Sequence, residues 1–455
     1  MTLPVALRQA LNTQLPEMQS PAMSAARNHQ SELRMVPLRD SQGALQVIVR
    51  YSDLFDINEL NIQLERDLRV VPAQEQAAMC QRLGVKSLPA LPALTAWETL
   101  IDERVDELES VSIPYADDEP AMTLDRASFQ RLTDNLPRRS FCVPLSELRV
   151  NFSQPGLDMD QLHSAVRRFT DRRISQRLED TLEIPPLPET AKEILRIRVD
   201  PNSTTNDLVK VVESDPSLAA QVVSWASSSF YSMRGDVQSV QDAVFRVLGF
   251  DMVMNLAMAL ALGKTLKVPD DSPDGYISYW QQSVWVAQAT SVLAAQIPAD
   301  RRPSAGLSYL SGLLQNFGYL VMAHVFPPHF RQACRAWEVN QHLDTCYVEQ
   351  HILGITREQL AATLMQNWNM PEAVCTAIRH QKSPASAPDN LVYAQLTGLA
   401  RNLLVERGIS VGAVPDSIPQ LLAALELDEQ SVSEAFDDLM EQAPSITNMA
   451  GILGR

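Results

Sequence analysis

From Ile184 onward, apolar residues recur at helical spacing almost without interruption, and this limits the possible fold more than any other feature. Pro188 stands where a first helical turn would begin, with Ile194, Leu195 and Ile197 at core spacing behind it. Ser203 or Thr204 can cap the next helix, which runs through Leu208, Val211 and Val212. Asp215-Pro216 opens another, and Ser239 precedes one that ends at Gly249. Later helices are expected at roughly 251–265, 276–296, 306–325, 328–340, 344–352, 356–367, 371–380 and 388–406, with shorter ones at 417–426 and 430–441. The second half therefore reads as an all-α domain.

The first half reads differently. Residues 34–38 and 44–50 are strand candidates around a turn at Ser41-Gln42-Gly43, and Leu54 to Leu68 has helical spacing. Leu88 to Leu94 is proline-rich and must be extended or looped. Further short strands fall at 100–101, 111–113 and 122–124. The expected fold class is thus α+β with two domains, a mixed α/β domain followed by an all-α one. The expected layout is an N-terminal helical segment (1–29), the α/β domain (30–135), a linker with an Arg-rich helix (136–180), the helical domain (181–400) and a helical extension (401–455). Pro137, Pro144 and Pro155 mark the linker, and Arg167, Arg168, Arg172, Arg173 and Arg177 mark its helix.

Composition narrows the function classes. A net charge of −17 disfavours general affinity for a phosphate backbone. Five scattered cysteines without a CxxC pair predict reduced, mostly buried thiols. The amphipathic N-terminus lacks the layout of a secretory signal, and the longest apolar stretch, residues 252–262, is too short to span a bilayer. These features predict a soluble, cytoplasmic protein with no membrane insertion.

Six phrases occur in order over residues 184–371: Ile184-Pro185-Pro186-Leu187-Pro188-Glu189, Ser214-Asp215-Pro216-Ser217-Leu218-Ala219, the run from Ser239 to Gly249, Trp280-Gln281-Gln282-Ser283, the run from Gly312 to Gly318, and Trp368-Asn369-Met370-Pro371. Together they resemble the HDOD family, the HD-related output domain of bacterial signalling proteins. The resemblance implies an HD-like helical fold and a role in signalling and gene regulation. HD-type hydrolases hold divalent cations on His and Asp side chains, and the metal generates hydroxide and polarises a phosphoryl group. At the matching positions this chain has Gln282, Gln315-Asn316 and Arg357, while His380 and Glu349 remain. Amides and a guanidinium hold a cation poorly. The expectation is no metal, no cofactor and no phosphohydrolase chemistry. Gln282, Gln315, Asn316, Arg357 and His380 would line a polar pocket, either as a satisfied hydrogen-bond network or as a nucleotide or anion site.

In the first half, Leu83-Gly84-Val85-Lys86-Ser87-Leu88-Pro89, Leu91-Pro92-Ala93-Leu94-Thr95 and Thr99-Leu100-Ile101-Asp102-Glu103 resemble the YbaK/ProX-type aminoacyl-tRNA deacylases. That likeness implies hydrolysis of mischarged tRNA, with Gly84, Lys86 and Pro89 as the candidate residues and loop N–H groups as an oxyanion hole. The early strands carry Arg34, Arg39 and Arg50 but no lysine, and arginine cannot act as a base. The main reading is a non-catalytic regulator acting through protein partners. Trans-editing of tRNA is the alternative, and the Arg167–Arg177 strip would then supply the tRNA-facing surface.

Overall fold

Asp40 and Gly43 close the first hairpin. The Asp40 carboxylate accepts from the Gln42 and Gly43 N–H groups at 2.8 and 3.1 Å, and Gly43 takes φ +140°. Bonding to Arg66 and to these N–H groups holds the Asp40 carboxyl down at about 2. In this computed structural model the described residues are 3–14, 22–24, 29–116, 120–172, 178–228, 231, 237–387, 389–412 and 417–454. The chain divides into two units. One comprises the residues up to Arg149 with Pro273–Gly275 and Gln332–His351, and the other comprises the remainder.

In the first unit, β2 (Leu33–Asp40) and β3 (Gly43–Arg50) form that hairpin. Around it lie β1 (Ala22–Ser24), β4 (Asp53–Phe55), β5 (Arg69–Val70), β6 (Glu98–Asp102), β7 (Ser110–Ile113), β8 (Ala121–Asp125), β9 (Arg138–Arg139) and β10 (Cys142–Pro144). The main sheet has the order β5-β2-β3-β6-β9, with the β3–β6 and β6–β9 pairs parallel. A β1-β8-β7 sheet and a β10-β4 pair complete the unit. Leu7 and Leu11, on helix Val5–Gln14, join Leu33, Ile48, Ile101 and Phe129 in one core. Gln46 is fully buried on β3. It donates to the Pro92 carbonyl at 3.1 Å and to Thr99 Oγ1 at 2.6 Å, and this ties down the proline-rich loop.

Two expectations change here. The helical reading of 54–68 becomes β4 followed by helix Ile57–Leu64, which Asp56 caps. The linker reading of 136–156 also gives way, because β9 and β10 lie inside it and pair with β6 and β4. The prolines at 137 and 144 sit at strand ends, where a missing N–H costs no ladder bond.

The second unit is helical among its described residues. Helix Phe250–Gly263 buries every residue from Val253 to Leu262, so the longest apolar run is a core helix. Helix Tyr279–Gln296 starts at a Ser278/Gln281 capping box. It crosses helix Ala305–Leu314 closely at Gly312, where a Cβ would lie 2.7 Å from the Val286 carbonyl oxygen. The expected helix over 306–325 is two helices, Ala305–Leu314 and Phe317–Val325, broken at Gln315-Asn316. A final helix, Ala443–Leu453, carries its proline in the first turn. Helix Asp158–Phe169 replaces the longer Arg-rich helix expected there; Arg173 and Arg177 lie outside the described residues. Arg167 and Arg168 face solvent, whereas Arg172 donates to the Leu182 and His324 carbonyls. No helix among the described residues is long and apolar enough to cross a membrane. Four of the five cysteines are buried and Cys80 is partly so; none is paired.

Candidate functional site

The break at Gln315-Asn316 sets the geometry of the helical unit. Gly318 lies so close to the next wall that a Cβ would fall 2.0 Å from the Arg357 carbonyl oxygen. That approach brings three of the motif positions together. Asn316 donates from Nδ2 to Gln282 Oε1 at 3.2 Å and accepts at Oδ1 from Arg357 at 2.9 Å. Gln282 in turn donates from Nε2 to the Ile277 carbonyl at 2.8 Å. Arg357 opens helix Arg357–Asn367 behind a Thr356/Gln359 capping box, and its guanidinium lies 5.6 Å over the Tyr319 ring.

Gln315 and His380 are buried as well. The Gln315 carbonyl accepts from Gln381 Nε2 at 2.9 Å. His380 ends helix Glu372–His380 and is 3% exposed, and its Nδ1 has no hydrogen-bond partner among the described residues. Burial and the adjacent Arg379 charge lower its pKa. Glu349 falls in the first unit. Among the described residues, no three His, Cys, Asp or Glu side chains group so as to hold a metal ion.

A second buried network was not visible in the sequence. Arg379 grips Asp158 through two nitrogens, one bond measuring 2.9 Å, and also donates to the Asn151 carbonyl at 2.8 Å. Gln359 donates to Asp158 Oδ1 at 2.7 Å and to Gln161 Oε1 at 2.6 Å. Asp158 precedes the family's first motif by many residues, and Arg379 reads as an ordinary charge in the last turn of a helix.

The first unit holds a cleft of about 830 Å³. Lys86, Ser87 and Leu88 are on its wall, together with Arg34, Cys80, Glu338 and His342; Gly84 and Pro89 do not line it. Gly84 ends helix Ala73–Leu83 at φ +68°, a left-handed position that suits glycine. Its N–H donates to Gln81 O and that of Val85 to Cys80 O, while the Lys86 and Ser87 N–H groups both donate to the Tyr115 carbonyl, at 2.9 and 3.0 Å. The early-strand arginines are engaged as well. Arg39 meets Glu75 at 2.8 Å, and Arg50 meets Glu107 at 3.0 Å. Arg34 donates to Val339 O at 2.6 Å and to Asn340 Oδ1 at 2.9 Å, and burial lowers its pKa to about 10.

His342 faces the Tyr51 carbonyl at 3.0 Å. Burial, aided by the Arg34 charge, holds its pKa well below the ordinary histidine range. The unfolded chain takes up this proton first, near pH 6.5. Stability from His342 is therefore complete above about pH 6.5 and declines as the pH falls below it. Urea unfolding between pH 7.5 and 5 is expected to show a falling midpoint, and His342→Gln is expected to flatten that fall.

Comparisons with known proteins agree with this architecture. The HDOD domain family profile matches residues 184–384. A crystal structure from Marinobacter aquaeolei VT8, provisionally described as a signal transduction protein, is 50% identical, covers 100% of both chains and overlays with a TM-score of 0.94. An HDOD domain protein of unknown function from Geobacter sulfurreducens is 19% identical, covering 65% of this chain and 97% of that one, with a TM-score of 0.48. An uncharacterized protein of Treponema pallidum (strain Nichols) is 26% identical over 216 residues, and the match spans 48% of this chain and 40% of that curated relative. The fold and the matched residues define an HDOD domain in a chain that also carries an α/β unit. Residues 184–384 thus form an HDOD domain.

Proposed function

We propose that this chain is a non-catalytic signalling protein whose α/β unit senses a ligand and whose HDOD domain acts through contacts with a protein partner. The observation that carries this reading is the bonded series Gln282–Asn316–Arg357. Side chains standing where an HD hydrolase would place metal ligands satisfy one another instead. The guanidinium adds a positive charge there, which opposes a cation.

The test is metal analysis of full-length protein purified without chelators, with phosphodiesterase assays alongside. No stoichiometric Mn, Fe, Mg or Zn is expected, and no turnover when metal is added. One tightly bound metal per chain, lost in Asn316→Ala, would overturn the proposal. A metal-free nucleotide site at the same residues would have to break these side-chain hydrogen bonds; calorimetric titration with cyclic dinucleotides, with Arg357→Ala as control, tests for it.

Hydrolysis of mischarged tRNA by the YbaK-like unit is a second reading, favoured by Lys86 on the cleft wall. Against it, the N–H groups of Gly84, Val85, Lys86 and Ser87 are all taken by protein carbonyls, which leaves them no donor for an oxyanion. Release of amino acid from any of a panel of misacylated tRNAs, abolished by Lys86→Ala, would establish this second reading.

A further inference from the structure

Trp280 opens the phrase Trp280-Gln281-Gln282-Ser283, of which only Gln282 has a part in the bonded series above. Two positions apart on helix Tyr279–Gln296, Trp280 and Gln282 project about 200° from one another, so Trp280 serves a different face. Its six-membered ring packs on Gly263, where a Cβ would fall 2.6 Å from Cη2. Its Cδ1 edge lies beside Gly454, where a Cβ would fall 3.4 Å away. Trp280 is 9% exposed, and its Nε1–H makes no hydrogen bond among the described residues. That nitrogen is not among the enclosed polar atoms left without a partner, so the exposure that remains includes it.

We propose that the cleft lined by Trp280 in the helical unit binds a carboxylate on an aliphatic chain, a medium-chain fatty acid. The site is independent of the sensing role proposed for the α/β unit. Its volume of about 470 Å³ is that of a small-molecule site. Lys267 lines it, is exposed, and has no hydrogen bond or ion pair among the described residues. Lys264 lines it as well, but its charge is shared with Asp215 at 2.9 Å. No Asp or Glu is on the lining, and the Gln221 Oε1 there is enclosed. An indole N–H and an ammonium are donors, so the cleft suits a ligand that brings acceptors and negative charge. One unpaired ammonium matches a singly charged head group. Leu260, Leu266, Val268 and Leu453 give the hydrocarbon chain its wall, and Val268 is 42% exposed without it. Leu453 and Gly454 come from the end of helix Ala443–Leu453, outside the residues matched to the HDOD family. The site therefore needs the C-terminal extension and is not a property of the matched domain alone.

Trp280 also gives the readout. The six tryptophans each contribute one indole N–H resonance in nitrogen-15-labelled full-length protein, and Trp280→Phe identifies the one that matters. Octanoate, octyl phosphate, octanol and acetate would be titrated separately, each below its micelle-forming concentration. Octanoate is expected to shift the Trp280 resonance saturably, while octanol and acetate leave it in place. Lys267→Gln is expected to raise the octanoate Kd about three- to fivefold, the range an ion pair at a solvent-exposed lysine supplies. Absence of an octanoate shift overturns the proposal, and so does an octanoate Kd unchanged in Lys267→Gln. An equal shift by octanol removes the need for charge, and an equal shift by acetate removes the need for a chain; either overturns the assignment. Tighter binding of octyl phosphate than of octanoate overturns the carboxylate head group. The wild-type ligand comparison decides the matter without any variant, and none of these outcomes bears on the series Gln282–Asn316–Arg357.

Discussion

Arg379→Ala is expected to destabilise the helical unit by about 3–5 kcal/mol, because it leaves the Asp158 carboxylate buried without its counter-ion. The two side chains are 5% and 7% exposed, so solvent screens the pair little. Asp158 also accepts from Asn151 and Gln359, which raises the number of bonds lost if the acid itself is removed. Urea unfolding followed by far-ultraviolet circular dichroism measures the effect. The double variant Asp158→Ala, Arg379→Ala is expected to lose much less than the sum of the singles, since each removes the charge the other orphans. Additive losses would mean that the pair is not coupled as its geometry requires.

Asn340→Leu is expected to cost the first unit about 3–5 kcal/mol, the sum of several orphaned groups at roughly 1–3 kcal/mol each. The Asn340 amide accepts from the Phe55 N–H at 3.0 Å and donates to the Phe55 carbonyl at 2.8 Å. It thus bonds β4 much as a neighbouring strand would, alongside β4's pairing with β10. Its Oδ1 also takes the Arg34 bond. Hydrogen exchange at the Phe55 amide is the specific readout. Exchange in Asn340→Leu is expected to rise there well before the β2–β3 hairpin loses protection. Unchanged exchange at Phe55 would count against the clamp.

These two predictions concern residues that the sequence did not single out, and the reason is separation along the chain. Asn340 meets Phe55 across 285 positions, and Arg379 meets Asp158 across 221. Helical periodicity and capping chemistry are local, and they located the helix starts at residues 203–204, at Asp215 and at Ser239. They could not show that residues 332–351, helical like their neighbours, count with the α/β unit. The motif positions were legible for another reason. They sit inside ordered phrases, so Gln282, Asn316 and Arg357 could be named before the hydrogen bonds joining them were known. The helix break at Gln315-Asn316 was not legible, since apolar spacing runs through it into the next helix.

The sequence by itself determined that the second half is helical, that its motifs resemble those of the HDOD family, and that Gln282, Gln315, Asn316 and Arg357 stand where that resemblance leads one to expect metal ligands. Periodicity, caps and ordered phrases carry that information because each depends only on residues close together in the chain. Tertiary structure alone decided which of those side chains bond to one another. It also decided that the glycine-loop N–H groups are spent on carbonyls and that Glu338 is enclosed in an ion pair with Arg335. Such outcomes depend on which surfaces exclude water together, and residues hundreds of positions apart fix them jointly.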